Sequence, residues 1–212
     1  MNWLSICRRV RKEIGLSGTD TSPASVTGQT GEMLNVVNWV GSAWLAVQGR
    51  AKWEWQWENT TVTILAGAYF VAAAVSADRY ELDATFDGTR ELEYLPWDDF
   101  RVRYPAARIT DGEPTYWTVR PDRAIAVNAK PDADLVLTVE RFVNPSAIGT
   151  DEESPLMPEH QHEAIVWRAV MFYAGHDEAK ALYEHAKIEF DRIMGEAAID
   201  DLPDYEFGPP LC

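Results

Sequence analysis

Apolar residues near the N-terminus recur at helical spacing. The sequence predicts a helix over residues 2–14, because its apolar positions follow one another at intervals of four, three and four residues. Asn2 is placed to cap the start of this helix and Gly15 to end it. The positions that define the apolar face are Trp3, Cys7, Val10 and Ile14.

A second helical pattern covers residues 31–50 and follows a loop over 16–30 that is rich in Ser, Thr and Gly. Three tryptophans, Trp53, Trp55 and Trp57, alternate with polar residues just after it. This alternation indicates either a strand or the packing of the helix end against the next element. The apolar stripe predicted for the helix consists of Met33, Val37, Val40, Trp44 and Val47.

The pattern changes to strands over residues 58–143, where short β-branched and aromatic runs are separated by turn dipeptides such as Asp87-Gly88. Short antiparallel strands with such punctuation favour a small sandwich or barrel. The predicted strands lie at 60–65, 69–71, 80–86, 116–119, 124–127 and 135–139.

Two further helices are predicted after a connection at 144–158 that is rich in Pro, Gly and acidic residues. The first, over 159–174, is apolar on most sides and should therefore be buried in a core or an interface. The second, over 177–195, is amphipathic, with Gly195 expected to end it.

The last segment, 197–212, contains three prolines and a glycine, which preclude a regular helix. A disordered spacer is usually poor in aromatic residues, whereas this segment carries several apolar side chains. We interpret it as an extended arm that becomes ordered on another polypeptide. Its expected contact residues are Leu202, Pro203, Tyr205, Phe207 and Leu211.

Together these elements predict an α+β fold in which helices from both ends of the chain form one bundle and an antiparallel β module is inserted between them. The helical bundle domain comprises 1–57 and 151–196, the inserted β-rich domain 58–150, and the arm 197–212. Candidates for a subunit interface are Trp53, Trp55, Trp57, Trp167 and Phe172.

Charge narrows the possible partners. The chain has 212 residues with 34 acidic and 19 basic side chains, a formal charge of −15. A protein that reads DNA sequence normally presents a basic face, and the basic residues at 8–12 form only a short cluster on a predicted helix. No segment reaches the roughly 20 apolar residues of a membrane span, and the N-terminus lacks the apolar core of a signal peptide. We expect a soluble protein, cytosolic where it is made.

Candidate chemistry is sparse. His160 and His162 are two residues apart on a predicted helix and point to different faces, so they do not form a shared metal site. Nucleophile and phosphate-loop motifs are lacking, and Cys7 lies on a predicted buried stripe. The adjacent acidic residues are best interpreted as solvated charge; they are Asp98-Asp99, Asp151-Glu152-Glu153 and Asp200-Asp201. We therefore expect no enzymatic activity, no catalytic or metal-binding residues and no cofactor.

Several stretches together resemble the head-to-tail adaptor (connector) proteins of tailed bacteriophages. Residues 4–18 resemble the first helix and loop of that family, and residues 27–44 resemble the segment that leads into its long helix. Residues 155–166, followed by a helix with Tyr183-Glu184, are similar to its closing hairpin. The resemblance covers most of the chain and lies in the pattern as a whole.

This resemblance implies a ring, commonly of twelve copies, that docks beneath the portal, extends the DNA channel and offers a surface to tail or neck proteins. DNA would pass through an acidic lumen without specific binding, and the terminal arm would reach the portal. The expected location is the neck of the virion. Three alternatives stay open: a tail-completion or tail-tube-terminating protein, a metal hydrolase that uses His160 and His162, and a ligand-binding β module.

Overall fold

The computed structural model describes residues 1–16, 23–71, 79–88 and 90–201, and for 79–87 the backbone alone. These residues form an α+β fold, which confirms the predicted fold class. The helices are α1 (Trp3–Glu13), α2 (Gly31–Gln48), α3 (Trp97–Arg103), α4 (Glu163–His176) and α5 (Lys180–Asp200). The strands are β1 (Trp57–Ile64), β2 (Phe70–Val71), β3 (Arg79–Asp87), β4 (Arg90–Glu91), β5 (Glu93–Tyr94), β6 (Tyr116–Val119), β7 (Ile125–Val127) and β8 (Leu135–Phe142).

The chain divides into two compact units. The helical unit comprises Met1–Gln56 and Pro145–Cys212, and the β-rich unit comprises Trp57–Asn144. The second boundary lies between Asn144 and Pro145, whereas the sequence pattern placed it between residues 150 and 151. The reason is local, because the buried Gln48 amide at the end of α2 bonds the backbone of Ser146: its Nε2 donates to the carbonyl at 2.9 Å, and its Oε1 accepts from the N–H at 3.1 Å.

The ends of α1 follow the predicted capping chemistry. The Asn2 side chain accepts the Ser5 N–H at 3.0 Å, and Gly15 adopts a φ of 77° just past the last turn. The connection before α4 supplies further acceptors, since the carbonyl of Glu153 accepts the Trp3 N–H at 2.8 Å. Backbone donors that a helix start leaves unpaired are thus satisfied within the helical unit.

Helix α2 buries a wider arc than the sequence stripe predicted. Met33 and Val37 are only partly buried, whereas Val36, outside the predicted stripe, is fully buried. The physical reason is that α2 packs against both α1 and α4, so its buried surface is broader than one helical stripe. The buried residues of α2 are Val36, Val40, Ala43, Trp44, Val47 and Gln48.

Helix α4 is the central element of the helical unit, because it packs against α1, α2 and α5. Its apolar character on most sides is therefore matched by burial on most sides, as the sequence predicted. The buried residues of α4 are Ala164, Ile165, Val166, Trp167, Ala169, Val170, Met171 and Ala174.

Helix α5 continues past the glycine that was expected to end it. Gly195 lies inside the helix, which runs to Asp200, so the prediction of an extended arm from residue 197 is wrong for its first residues. A glycine inside a helix costs about 1 kcal/mol relative to alanine. Here the helix is supported beyond it by Ala197, which is buried in the core.

The described residues of the β-rich unit form two four-stranded sheets, with strand orders β1-β8-β3-β4 and β2-β7-β6-β5. All six predicted strands are present, and their pairing is antiparallel apart from the short parallel pair β5–β6. Both sheets contribute to one core, which contains Val62, Ile64, Leu92, Trp117, Ile125, Val127, Leu135, Leu137 and Val139. The sequence pattern missed α3, a seven-residue helix in which Phe100 alone is buried.

Candidate functional site

The two histidines considered as metal ligands, His160 and His162, have different surroundings. His160 is exposed, whereas His162 is buried, with Nε2 3.0 Å from the Met157 carbonyl and Nδ1 2.8 Å from the Met1 amino nitrogen. Burial lowers the pKa of His162. Within the described ranges no cluster of three or more His, Cys, Asp or Glu side chains is arranged to hold a metal ion.

The acidic pairs are more involved in local structure than solvated charge would be. Asp98 and Asp99 occupy the first turn of α3, where carboxylates interact favourably with the helix dipole. The Asp151 carboxylate accepts the Val26 N–H at 2.6 Å, and the Asp201 carboxylate accepts a bond from the Gln161 side chain. These carboxylates therefore lie at a helix start or connect separate segments of the chain.

The three alternating tryptophans separate into two environments. Trp53 is buried and donates its indole N–H to the Val47 carbonyl at 2.9 Å, while Trp55 lies in a 3₁₀ turn and stacks on both Trp53 and Trp44. Trp57 begins β1 and is 43% exposed. Of this group, Trp57 therefore presents the largest surface that a partner can contact.

The interface candidates on α4 are also largely covered. Trp167 is buried and meets the ring of His185 at 5.3 Å, and Phe172 is half-buried with the Arg168 guanidinium 4.8 Å above its ring. Burial within the helical unit accounts for the apolar character of Trp53 and Trp167, and their role in a subunit interface stays a prediction.

Asp201, the last described residue before the rest of the predicted arm, is held by hydrogen bonds. The carbonyl of Asp201 accepts the Glu54 N–H at 2.9 Å, and its carboxylate is bonded to Gln161. The predicted contact residues follow directly, but they lie outside the described residues. They are Leu202, Pro203, Tyr205, Phe207 and Leu211.

Exposed apolar side chains occur on the helix that leads to Asp201. Ile188 is 66% exposed and Ile199 is 83% exposed, although α5 buries Phe190 and Ile193 on its other side. The two isoleucines are eleven residues apart, close to three helical turns, so they share one face of α5. This face places branched apolar surface in water, which is unfavourable by about 25 cal/mol per Å².

The β-rich unit carries a surface that the sequence pattern did not reveal. We call it the aromatic–arginine face. The Arg120 guanidinium lies 4.8 Å from the Phe70 ring centroid and 5.8 Å from that of Trp97. The Arg103 guanidinium lies 5.5 Å from Tyr104 and 5.0 Å from Tyr116. The face consists of Phe70, Trp97, Arg103, Tyr104, Tyr116 and Arg120.

The buried ring of Phe100 lies between the two arginine-centred groups of this face, one around Arg120 and one around Arg103. Its ring centroid lies 6.2 Å from that of Trp97 and 5.4 Å from that of Tyr104. Arginine, tryptophan and tyrosine are the residue types enriched where protein interfaces gain most of their binding energy. The arrangement is therefore suited to contact another polypeptide.

A search with the sequence found no matching family model and no similar curated protein. None of the helices among the described residues combines the length and the apolar character that a membrane crossing requires.

Proposed function

We propose that this chain is a structural subunit of a tailed bacteriophage, a head-to-tail adaptor that forms a ring beneath the portal and joins the capsid to the tail. The pattern resemblance over residues 4–18, 27–44 and 155–166 supports this proposal. The ring would sit in the virion neck, continue the DNA channel and contact tail or neck proteins. The charge of −15 suits a channel wall that does not retain DNA.

The observation that carries the proposal is the apolar surface at the end of α5. Ile188 and Ile199 are largely exposed on one face of α5, and the sequence after Asp201 contains Leu202, Tyr205, Phe207 and Leu211. Exposed apolar side chains that share one helix face suit a surface that an assembling subunit buries in its partners. The resemblance names the portal as the receptor of this segment.

A second surface of the helical unit has the character of a contact between copies. Helix α2 has one charged residue, Glu32, and its outer side carries Leu34 and Leu45, which are 42% and 40% exposed. A closed ring needs two different surfaces on each subunit, because neighbours meet head to tail. The outer sides of α2 and α5 supply two such apolar surfaces.

The decisive experiment mixes the purified chain with the portal of the phage that encodes it and images the complex by electron microscopy. We expect a ring of copies bound to the portal. A truncation after Asp201 should abolish binding and leave the helical content intact. The truncation belongs there because Ala197 is buried and Asp201 is bonded to Glu54 and Gln161.

The matched control is the double substitution Ile188→Ser and Ile199→Ser in the full chain, which keeps the C-terminal segment and removes the exposed apolar face of α5. Loss of rings with this variant would assign α5 to subunit contacts. Copurification with the tail tube in place of the portal would favour a tail-completion protein. Full portal binding by the truncated chain would contradict the role of the segment.

A further inference from the structure

The aromatic–arginine face is open to a partner. Phe70 is 38% exposed, and Val102, next to Arg103 in α3, is 78% exposed. Arg103 is exposed, and Trp97, Tyr104 and Tyr116 are half-buried, so each aromatic ring keeps an accessible edge while its position is fixed by packing. Rings held in this way bind a partner with little loss of side-chain entropy.

The charge of this face differs from that of the chain as a whole. Arg120 is paired with Asp122 at 2.9 Å and Arg101 with Asp98 at 3.0 Å. Arg103, by contrast, stacks on two tyrosines and forms no ion pair with a carboxylate among the described residues. In a chain with 34 acidic side chains, a stacked arginine without a carboxylate is available for an external one.

The C-terminal segment has the complementary chemistry. Residues 193–212 contain five acidic residues and no lysine or arginine. Within the sequence 202–212, Asp204 and Glu206 flank Tyr205, and three of the eleven residues are proline, which as a residue type disfavours a helix. Proline-rich extended peptides bind grooves lined by aromatic side chains, because little conformational entropy is lost when they dock.

We propose that the aromatic–arginine face binds the acidic, proline-rich segment 202–212 of a second copy of the chain. Arg103 would pair with Asp204 or Glu206, and the rings of the face would contact Tyr205, Phe207 and the prolines. An extended polyproline-type segment of this length spans about 34 Å. The inference rests on the proposed ring, which places copies side by side, and it adds a neighbouring copy to the portal as a receptor of the segment.

Crosslinking in the full chain tests which polypeptide receives the segment. A tagged copy with Phe207→p-benzoylphenylalanine is mixed with an untagged, ¹⁵N-labelled copy at concentrations that allow assembly, and crosslinked peptides are identified by mass spectrometry. We expect links from position 207 to labelled peptides within 97–120. Links confined to the tagged copy itself, or links that avoid the face, would overturn the proposal.

Binding of a synthetic peptide tests the chemistry of recognition. Fluorescein-labelled peptide 200–212, with serine replacing Cys212, is titrated into the full chain and followed by anisotropy. Arg103→Glu should weaken binding about tenfold or more, as expected for loss of a stacked cation and a charge pair. The matched control is Arg101→Glu, which makes the same change in charge two residues away on α3, and it should change affinity less than threefold.

Two outcomes separate this inference from the proposed function and from another class of ligand. If the peptide binds the purified portal and not this chain, the inference is wrong and the adaptor proposal stands. Single-stranded nucleic acid also stacks on aromatic and arginine side chains. If a labelled oligothymidine binds the chain, is released by Arg103→Glu and is not displaced by the peptide, the inference is likewise wrong.

Discussion

Cys7 lies on the inner face of α1 with no exposed surface. Burial raises the pKa of its thiol to about 12, and the negative charge of Asp151 adds to the effect. Because the thiolate is the reactive form, a buried thiol with this pKa should react only when the helical unit opens. The position of Cys7 on a regular apolar stripe made this burial predictable from the sequence.

We predict that iodoacetamide at pH 8 modifies Cys7 in the folded chain at least about 100-fold more slowly than in the chain unfolded in urea. The measurement is the modified fraction of the Cys7 peptide over time, by mass spectrometry. The raised pKa also stabilises the fold below pH 9, the ordinary thiol value, and this contribution is lost as the pH rises toward 12. Modification of the folded chain at the unfolded rate would contradict the burial of Cys7.

The contribution of His162 to the pH dependence of stability has the opposite sign to that of Cys7. Burial lowers the pKa of this imidazole, which faces the Met157 carbonyl, the Met1 amino group and, next to that group, the Glu159 carboxylate. A lowered pKa means that the unfolded chain binds the proton more readily, so His162 destabilises the fold as the pH falls below 6.5, its ordinary value.

We therefore predict that the urea midpoint falls more between pH 7.5 and pH 5.5 for the natural chain than for His162→Gln. Glutamine retains a donor for the Met157 carbonyl and has no titrating group. Carboxylates such as Glu159 titrate in both proteins, so the difference between the two pH profiles isolates the histidine. Identical profiles would show that His162 titrates with the same pKa in the folded and unfolded chains.

The sequence predicted those features of the helices and strands that depend on neighbouring residues, and it missed those that depend on tertiary packing. The capping residue Asn2 and the strand runs carry signals within a few residues, and both were predicted. The extra length of α5 depends on the burial of Ala197, and the short helix α3 has one buried residue, too few to give a period. The aromatic–arginine face joins side chains from β2, from α3 and the residue after it, and from β6 and the residue after it, which no linear pattern places together.

The two adjacent valines of α2 test the difference between predicted and observed packing. Val36 is fully buried, whereas Val37, which the sequence stripe favoured, is only partly buried. Val36→Ala should lower the free energy of unfolding by about 2 kcal/mol, since it removes buried methyl groups and leaves a cavity, and Val37→Ala should cost less than about 1 kcal/mol. Urea denaturation followed by circular dichroism measures both, and a larger cost at Val37 would restore the stripe predicted from the sequence.

The molecule as a whole combines an acidic character with two units that each have a core of their own. Many of its basic side chains are already engaged with carboxylates, as Arg9 is with Glu13 and Glu163, and Arg192 with Glu189 and Glu196. These pairs reduce the charge that the engaged side chains can offer to phosphates. The sequence predicted a boundary near residue 57 because the apolar period changes there, whereas the ion pairs on the surface depend on which charged side chains meet in the folded protein.

This charge distribution predicts how the protein treats DNA. Binding to duplex DNA gains its affinity from phosphate contacts made by lysine and arginine, and it strengthens steeply as salt is lowered. For a chain with a formal charge of −15, we expect no binding of a labelled 30-base-pair duplex in anisotropy titrations up to about 10 μM protein, even at 50 mM salt. A basic DNA-binding protein serves as the positive control. Salt-sensitive binding in this range would mean that basic side chains cluster in the assembled protein, and a channel wall built from it would then hold DNA instead of letting it pass.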